Sequence, residues 1–265
     1  MSTLVFVHAH PDDEGSGTAG AMLRATREGH RVVVVYATNG DHGAVPDDLA
    51  PGETVVQRRR AEAEASARVT GAARLVWLGY ADSGMTGWEQ NAADGAFARA
   101  DLEQAARRLA DVLDEEDADV VVGYDWHGGY GHPDHVMVHR VTKRAAELAR
   151  RAPRYLEATM NRDRMRALHA MAVEAGMDGF DPDGAGDDGN PMGTPEAELH
   201  WRLELGDDVP RKREALACHA SQTDVAMMLQ MPPAVFAIAF GEEFYLEPGR
   251  PEGMVTGWFL DPAAA

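Results

Sequence analysis

Apolar residues along the chain fall into short, β-branched runs that alternate with longer segments rich in alanine, arginine and glutamate. Such short runs predict strands, and the longer segments between them predict helices. The predicted strands lie near residues 4–9, 31–38, 74–79, 120–124 and 155–159. The predicted helices lie near residues 17–28, 54–70, 98–115 and 135–151. This alternation predicts an α/β fold, a Rossmann-like and mostly parallel sheet flanked by helices.

The later part of the chain departs from this regular pattern. We predict one domain over residues 1–265, with a core at 1–160, a helix and acidic Gly-rich loop at 161–198, and a small C-terminal extension at 199–265. In the extension we predict a strand from about residue 199, a helix through 210–220 and a hairpin-like end around 236–246. The segment 176–196 is rich in Gly, Asp and Pro, which is typical of a long mobile loop. A lid over a site and a plain solvated loop both stay open.

Charge and cysteine content limit the possible partners and the expected cellular location. The formal net charge is −19, and such acidity disfavours nucleic acid and anionic membrane surfaces. A small-molecule substrate is the expected partner, and homo-oligomerisation stays open. The single cysteine, Cys218, excludes an internal disulfide framework, and no apolar run is long enough to span a membrane. With no signal-like N-terminus, we expect a cytoplasmic protein.

The chemistry-bearing residues concentrate in two similar clusters. AHPDDE occupies residues 9–14 and GHPDH occupies residues 131–135, and each directly follows a predicted strand. Open α/β sheets bind ligands beyond the carboxyl ends of their strands, so both clusters belong to the same rim. Imidazole and carboxylate groups are ligands that zinc accepts. The sequence therefore predicts a hydrolytic metal site built from the two clusters.

Three residues can supply the protein ligands of a catalytic zinc ion, which needs three and leaves a position for water. They are His10, Asp13 and His135. A set of two histidines and one carboxylate also suits Fe²⁺, so iron stays open as the cofactor. A non-haem Fe(II) enzyme and a non-catalytic metal-binding protein are the alternatives from other classes. The sequence offers no obvious fourth ligand, which favours an open catalytic site.

The remaining cluster residues suit catalysis. Asp12 is adjacent to a ligand and can act as general base, although an Asp there can also serve as a helix N-cap. His132 can steady or protonate a tetrahedral centre, and Tyr130 can donate its phenol to an oxyanion. Asp134 can hydrogen-bond one imidazole and fix its tautomer.

A glycine motif in the same region suggests a different function. Gly15, Gly17 and Gly20 spell GxGxxG at the mouth of a predicted helix, with Asp41 roughly twenty residues further on, which is typical of dinucleotide binding. The carboxylates of the AHPDDE cluster oppose this interpretation, because a pyrophosphate would lie where they do. We expect these glycines to serve close packing and a tight turn.

The clusters together resemble the LmbE-like, or PIG-L, family of zinc-dependent N-deacetylases, which includes the mycothiol-pathway deacetylase and the mycothiol S-conjugate amidase. The resemblance rests on residues 9–14 and 128–136, with weaker elements at 38–41, 59–62, 82–85 and 217–222. It implies a Rossmann-like fold and zinc held by His10, Asp13 and His135. It also implies Asp12 as general base, with His132 and Tyr130 around the tetrahedral intermediate.

The same resemblance suggests which residues bind substrate. It implies that Arg59 and Asp82 contact a sugar, and we add the loop residues Asp41, His42 and Met85. The Asp41-His42 pair stands where the mycothiol deacetylases place two glutamates, so family membership does not fix the substrate. We expect a metal-dependent hydrolase that removes an N-acyl group, in the simplest case acetyl, from an amino sugar or glycosylated small molecule. A mycothiol S-conjugate-type amidase is the alternative within the family.

Overall fold

A single twisted sheet forms the centre of the molecule. The structure is a computed structural model that describes residues 1–174, 176 and 181–261. Within these residues the sheet has eight strands, in the order β3-β2-β1-β4-β5-β7-β6-β8. The strands are β1 Thr3–His8, β2 Arg31–Thr38, β3 Arg74–Tyr80, β4 Val120–Tyr124, β5 Arg154–Thr159, β6 Trp201–Glu204, β7 Glu242–Leu246 and β8 Val255–Thr256.

Nine α-helices connect these strands or follow them in the described part of the chain. They are α1 Asp13–Gly17, α2 Ala19–Arg27, α3 Val55–Thr70, α4 Leu102–Glu115, α5 Pro133–Leu148, α6 Arg162–Glu174, α7 Val209–Ala217, α8 Thr223–Leu229 and α9 Pro233–Phe240. Capping residues define both ends of α3. Thr54 and Gln57 form a capping box at the start of α3, and Gly71 ends that helix at φ 78°.

The topology places a crevice between β1 and β4. β1 pairs in parallel with both β2 and β4, so the connections leaving β1 and β4 diverge to opposite sides of the sheet. The strands β1 to β5 are all parallel, whereas β7 runs antiparallel to both β5 and β6. Ligands in open α/β sheets bind at such a switch point. Both His-Pro-Asp clusters lie at this crevice.

Two apolar layers bury both faces of the sheet. Val5 and Val7 point into one layer, where α4 and α5 pack, and Leu4 and Phe6 point into the other, with α2 and α3. Because the central strands are covered on both faces, their sequences are continuous apolar runs instead of alternating ones. The second layer extends to Trp201 and the C-terminal strands.

The predicted fold class is confirmed, and the five predicted strands match β1 to β5 within one residue at each end. The predicted helix at residues 17–28 is instead two helices, α1 and α2, which are separated at Thr18. Thr18 leaves helical geometry at φ −135°, and its hydroxyl lies 3.0 Å from Nε2 of buried His8.

The predicted hairpin-like end at residues 236–246 is wrong. Of these residues, 236–240 belong to α9, and only Glu242–Leu246 form a strand, β7. β7 pairs with β5 and with β6, the preceding strand, from which three α-helices separate it in sequence. The segment from residue 199 onward therefore extends the sheet of the core.

The acidic Gly-rich segment is anchored where the structure describes it. Asp187 N–H donates to the carbonyl of Tyr130 at 2.7 Å, and Gly193 N–H donates to that of Gly129 at 2.7 Å. Residue 175 and residues 177–180, which include part of the predicted mobile loop, lie outside the described residues. Residues 181–196 thus pack against the loop that follows β4.

The described helices are short or polar relative to a membrane-spanning helix. None of them alone is long and apolar enough to cross a membrane. Only α8 and α9 taken together, with a bend of 115° between them, reach that length and composition.

Candidate active site

The loops that follow β1 and β4 bring the two clusters into contact. His10 lies two residues beyond the end of β1, and His132 and His135 lie at the start of α5. The His10 ring centroid is 4.8 Å from that of His132 and 5.4 Å from that of His135. All three rings are buried, with at most 8% of each residue exposed. Residues separated by more than a hundred positions in sequence therefore form one polar cluster.

Asp13 contacts both clusters through its two carboxylate oxygens. Oδ2 lies 3.5 Å from His10 Nδ1, and Oδ1 lies 3.4 Å from His135 Nε2. Metal–ligand bonds of about 2.0–2.2 Å in a tetrahedral zinc site place neighbouring ligand atoms roughly 3.3–3.5 Å apart. Each of these two contacts therefore has the spacing of neighbouring ligand atoms around one ion.

His135 presents a free nitrogen to this cluster. Its Nδ1 donates to the Gly128 carbonyl at 3.1 Å, which leaves the lone pair on Nε2. Nε2 is buried and makes no hydrogen bond within the described residues. The ring stacks on Tyr124 with centroids 4.8 Å apart, so its orientation is fixed. A backbone acceptor on the opposite nitrogen is the usual support of a metal-binding histidine.

Three carboxylates surround His10. Its Nε2 lies 3.2 Å from Asp134 Oδ2 and 3.4 Å from Asp82 Oδ1, while its Nδ1 faces Asp13. Asp134 is fully buried and is held by the backbone N–H and the hydroxyl of Ser83. Burial alone would lower the pKa of His10, but Asp82, Asp13 and Asp134 outweigh it and raise the pKa well above its usual range. The cluster strongly favours positive charge.

The donor atoms fit a metal ion. Two groups of three residues have donor atoms that all lie within 4.8 Å of one another: His10, His132 and His135, and His10, Asp82 and Asp134. Neither group includes Asp13, which contacts His10 and His135 of the first group through two different oxygens. Burial alone would raise the pKa of Asp13, but His135 and His10 lower it well below its usual range. A carboxylate that stays ionised beside the unpaired Nε2 of His135 suits a divalent cation such as zinc.

Asp12 is held in a conformation that non-glycine residues seldom adopt. Its φ is 124°, and such strain persists only where the surroundings enforce it. Arg59 Nη2 donates to Asp12 Oδ2 at 2.8 Å, and Asp12 N–H donates to Glu14 Oε2 at 3.0 Å. Burial raises the pKa of Asp12 to about 7, against the lowering effect of the Arg59 guanidinium. Asp12 does not cap α1 with its side chain.

Behind Asp12 lies a buried network that the sequence reasoning did not assign. Glu14 Oε1 accepts hydrogen bonds from Ser66 Oγ at 2.7 Å and from His219 Nε2 at 2.6 Å. Burial opposes ionisation of Glu14, but His219 lowers the pKa of Glu14 to about 2. The only sequence signal was the weak family element at residues 217–222, which carries no role for His219.

His132 and Tyr130 are the predicted groups for the reacting centre. His132 Nδ1 accepts a hydrogen bond from Asp134 N–H at 3.1 Å, so the proton of the neutral ring is on Nε2. Burial, with His10 and His135 nearby, lowers the pKa of His132 to about 3. Burial also raises the pKa of Tyr130 far above its usual value. Both side chains are therefore neutral hydrogen-bond donors at physiological pH.

A cavity of about 310 Å³ opens onto this cluster. Four of the five predicted substrate-binding residues line it: Arg59, Asp82, His42 and Met85. Asp41 lies behind the wall, where its Oδ1 accepts a hydrogen bond from Asp82 N–H at 3.0 Å. Other residues of the wall received no predicted role, namely Gly43, Ala44, Gly84, Trp88, Gln222, Thr223 and Asp224.

Arg59 lines the cavity, but its guanidinium is buried and hydrogen-bonds to other residues of the protein. It is 3% exposed, and its guanidinium donates to Asp12, to the Gly40 carbonyl at 2.9 Å and to the Pro11 carbonyl. These bonds hold the strained segment Pro11-Asp12 in place. The geometry favours Arg59 as a positioning residue for Asp12 over a predominantly sugar-contacting one.

The glycine motif does not form a dinucleotide site. The N-terminal amides of α2, at Gly20 and Ala21, donate to the Glu243 carboxylate at 2.8 and 2.9 Å. This carboxylate occupies the position where a pyrophosphate would bind a helix N-terminus. A Cβ on Gly20 would lie 2.2 Å from a methyl carbon of Leu205, as expected for close packing, whereas Gly17 meets nothing within 4 Å.

These features define a class of protein: an α/β fold whose sheet carries a candidate metal site at its switch point, open to a cavity. The model of the PIG-L family, GlcNAc-PI de-N-acetylase, matches residues 5–146. The chain belongs to that family. The predicted family resemblance is thereby confirmed.

One curated relative covers nearly the whole chain. It is the 1D-myo-inositol 2-acetamido-2-deoxy-alpha-D-glucopyranoside deacetylase of Thermomonospora curvata, which is 33% identical over 281 residues. The match covers 94% of this chain and 91% of the relative. Similarity at this level extends well beyond the two clusters.

Solved structures share the fold at lower identity. The N,N'-diacetylchitobiose deacetylase from Pyrococcus horikoshii matches with a TM-score of 0.60 and 20% identity, over 92% of this chain and 82% of that chain. The 4-carboxy-2-hydroxymuconate hydratase from Pseudomonas putida matches with a TM-score of 0.59 and 17% identity, over 95% of this chain and 98% of that chain. Because the second is a hydratase, the fold alone does not determine the reaction.

Proposed function

We propose that this protein is a metal-dependent N-deacetylase that hydrolyses the acetamide of an amino sugar, with a glucosaminide as the substrate class. The observation that carries the proposal is Asp13, whose two oxygens contact His10 and His135 beside a cavity that also exposes Asp12. Family membership and the deacetylase named in Thermomonospora curvata support the reaction type.

His10, Asp13 and His135 would hold the ion, and zinc suits this mixed nitrogen and oxygen donor set. When bound, a zinc ion lowers the pKa of a water molecule and polarises an acyl carbonyl. Asp134 and the Gly128 carbonyl orient the two imidazoles by accepting their outer N–H groups. The protein thus fixes which nitrogen of each ring faces the site.

Asp12 acts as the general base. Its pKa of about 7 makes it a proton acceptor matched to neutral pH. Arg59 fixes the orientation of one carboxylate oxygen, and the other is free to take the proton from the attacking water. The same carboxyl can return that proton to the departing amine.

His132 and Tyr130 stabilise the oxyanion that forms when water attacks the amide carbonyl. Each carries a neutral donor, the Nε2–H of His132 and the phenol of Tyr130, and both line the cavity. Donors fixed in a water-poor site stabilise developing charge without reorganisation. His132 therefore acts as a hydrogen-bond donor and not as a fourth metal ligand.

Three variants test these roles together. We expect His135→Ala to lose bound zinc, and Asp12→Asn and His132→Ala to retain one zinc per chain while turnover falls about 100- to 10,000-fold. The measurements are elemental analysis and amine release from 1D-myo-inositol 2-acetamido-2-deoxy-alpha-D-glucopyranoside. Loss of zinc from His132→Ala would make His132 a ligand and favour a closed, non-catalytic site. Unchanged turnover in Asp12→Asn would remove Asp12 from the mechanism.

A further inference from the structure

A large aromatic side chain stands at the cavity wall and has no role in the reaction proposed above. Trp88 is 49% exposed and lines the same cavity as His10 and Asp12. It belongs to the loop of residues 82–91, which begins at Asp82, in contact with His10. One loop therefore connects the metal-binding cluster to an exposed indole.

The side chain of Asn91 closes this loop through hydrogen bonds to its backbone. Asn91 Nδ2 donates to the carbonyls of Ser83 at 2.6 Å and Met85 at 3.1 Å, and its Oδ1 accepts from Gly87 N–H at 2.9 Å. Gly84 has φ 66°, and a Cβ there would lie 2.7 Å from the Trp88 ring. The indole thus packs against the Gly84 backbone, while about half of Trp88 faces solvent.

An aromatic face exposed at a cavity is suited to ligand binding. A single exposed apolar residue is ordinary in itself, and Trp126, which is 55% exposed and does not line the cavity, is an example. Trp88 differs because it lines the cavity of the candidate active site. A pre-ordered aromatic loses little conformational entropy when a ligand covers it.

The chemistry of the cavity indicates what covers the indole. Asp224, on the first turn of α8, also lines the cavity, and its carboxylate forms no hydrogen bond or ion pair in the described part of the chain. A carbohydrate ring combines an apolar face of C–H groups with a rim of hydroxyl donors. The first matches an aromatic surface, and the second matches a free carboxylate.

We propose that Trp88 is a specificity-determining platform on which a pyranose ring of the substrate stacks, while Asp224 accepts hydrogen bonds from the hydroxyls of that ring. The substrate class is therefore a glycoside, bound through its ring as well as through its acetamide. This assignment rests on the proposed function, since it takes the cavity to be the substrate site.

The test is calorimetric binding of methyl 2-amino-2-deoxy-α-D-glucopyranoside, a model of the deacetylated product, to the zinc-loaded protein. We expect Trp88→Ala to weaken binding about tenfold, which is the fold-change for an aromatic contact at the upper end of its range. Trp88→Phe is expected to stay within about threefold of wild type because it keeps an aromatic face. The matched control, Trp126→Ala, removes an equally exposed indole outside the cavity and should bind like wild type. If Trp88→Ala does not fold, Asp224→Asn should still show weaker binding.

Kinetics separate this proposal from the reaction itself. With the N-acetylated glycoside, Trp88→Ala should raise KM and leave kcat nearly unchanged, because stacking stabilises ground state and transition state alike. Equal binding by wild type and Trp88→Ala, or absence of binding by both, would overturn the platform. Amine release that is independent of Trp88 would leave the deacetylase intact and refute the platform alone. Binding that depends on Trp88, without amine release, would refute the reaction and support the platform.

Discussion

At the scale of single residues, Glu14 connects Asp12, the proposed general base, to a distant part of the chain, although Glu14 does not line the cavity. Its carboxylate accepts hydrogen bonds from the Asp12 amide and from His219, which lies 205 residues away in sequence. It is 1% exposed. The strained φ of Asp12 depends on such contacts, because nothing in its own preferences favours 124°.

Replacing this carboxylate tests its positioning role. Glu14→Gln keeps the size of the side chain but loses one acceptor, so either the Asp12 amide or His219 loses its partner. We expect kcat to fall at least about tenfold with zinc content retained, and the free energy of unfolding to fall by roughly 1–3 kcal/mol. Ser66→Ala is the control, since it removes one bond to Glu14 and leaves the Asp12 amide paired. A purely structural role would lower stability in both variants without changing kcat in either.

The sequence predicts the residues of the two clusters but not the groups behind them. His10, Asp13 and His135 were predictable because two matching motifs follow strands of one sheet, and strand ends share a rim. His219 was not, because its contact with Glu14 depends on how α7 packs against α1, which no local pattern encodes. Arg59 was predicted to contact substrate, but its burial and three partners follow only from the tertiary structure.

At the scale of elements, the glycine loop between β4 and α5 determines how closely His135 approaches the site. Gly128 has φ 65°, and a Cβ there would lie 2.2 Å from the Cβ of His135 and 2.9 Å from its Cα. Gly129 has φ 79°, but a Cβ there would meet only the end of Met160 at 3.4 Å. The two neighbouring glycines therefore differ in what lies against them and share the same backbone requirement.

This pair gives a matched test. Alanine at either position costs roughly 1–2 kcal/mol, because both have a left-handed backbone. Only Gly128→Ala forces the first turn of α5 away from the loop, so we expect its zinc affinity to fall about 10- to 100-fold, while Gly129→Ala binds zinc like wild type. Competition with a chromogenic chelator measures both affinities. Equal affinities would mean that the contact between Gly128 and α5 does not position His135.

Helices and strands with a clear pattern of apolar and polar residues were predictable from the sequence, and those without such a pattern were not. The strands of the core are short β-branched runs, so their ends were found within one residue. Residues 233–240, PAVFAIAF, are apolar on every side, and such a segment has no polar face to reveal helical periodicity. The hairpin predicted there was therefore wrong, although Pro233 is well suited to a helix start.

At the scale of the whole molecule, stability depends on a buried acid in the middle of the sheet. Glu157 lies on β5, which joins the parallel core to β7, and it is 7% exposed. Burial raises the pKa of Glu157 to about 7, with Asp125 adding to the effect and Tyr155 and Lys143 opposing it. His139 Nδ1 lies 3.4 Å from its carboxylate. The folded protein therefore retains a proton here that the unfolded chain has released.

This difference predicts how stability changes with pH. Because the folded pKa of about 7 exceeds the ordinary value, the contribution of Glu157 falls as pH rises from about 4.5 to 7 and is constant below that window. Glu157→Gln should remove this dependence. The free energy of unfolding of the variant, taken relative to wild type, should be up to about 3 kcal/mol higher at pH 8 than at pH 4. Urea unfolding at several pH values measures it. Glu64 is exposed, so the control variant Glu64→Gln should change neither the stability nor its dependence on pH. Parallel pH profiles for wild type and Glu157→Gln would contradict the prediction.

The arrangement of the whole sheet was only partly predictable. The alternation of strands and helices predicted the parallel core, but the order β5-β7-β6-β8 depends on pairings between strands far apart in sequence. The anchoring of residues 181–196 on the loop that carries Tyr130 follows likewise from long-range backbone hydrogen bonds. Composition alone predicted a mobile loop there.

One titration tests the central claim most directly, namely that the two His-Pro-Asp clusters form a single metal-dependent hydrolytic site. Metal-free protein is titrated with Zn²⁺ while amine release from 1D-myo-inositol 2-acetamido-2-deoxy-alpha-D-glucopyranoside is followed. We predict no release without metal, a linear rise with added zinc and a plateau at one ion per chain. A rate that is the same without metal, or no release at any zinc level, would contradict the account.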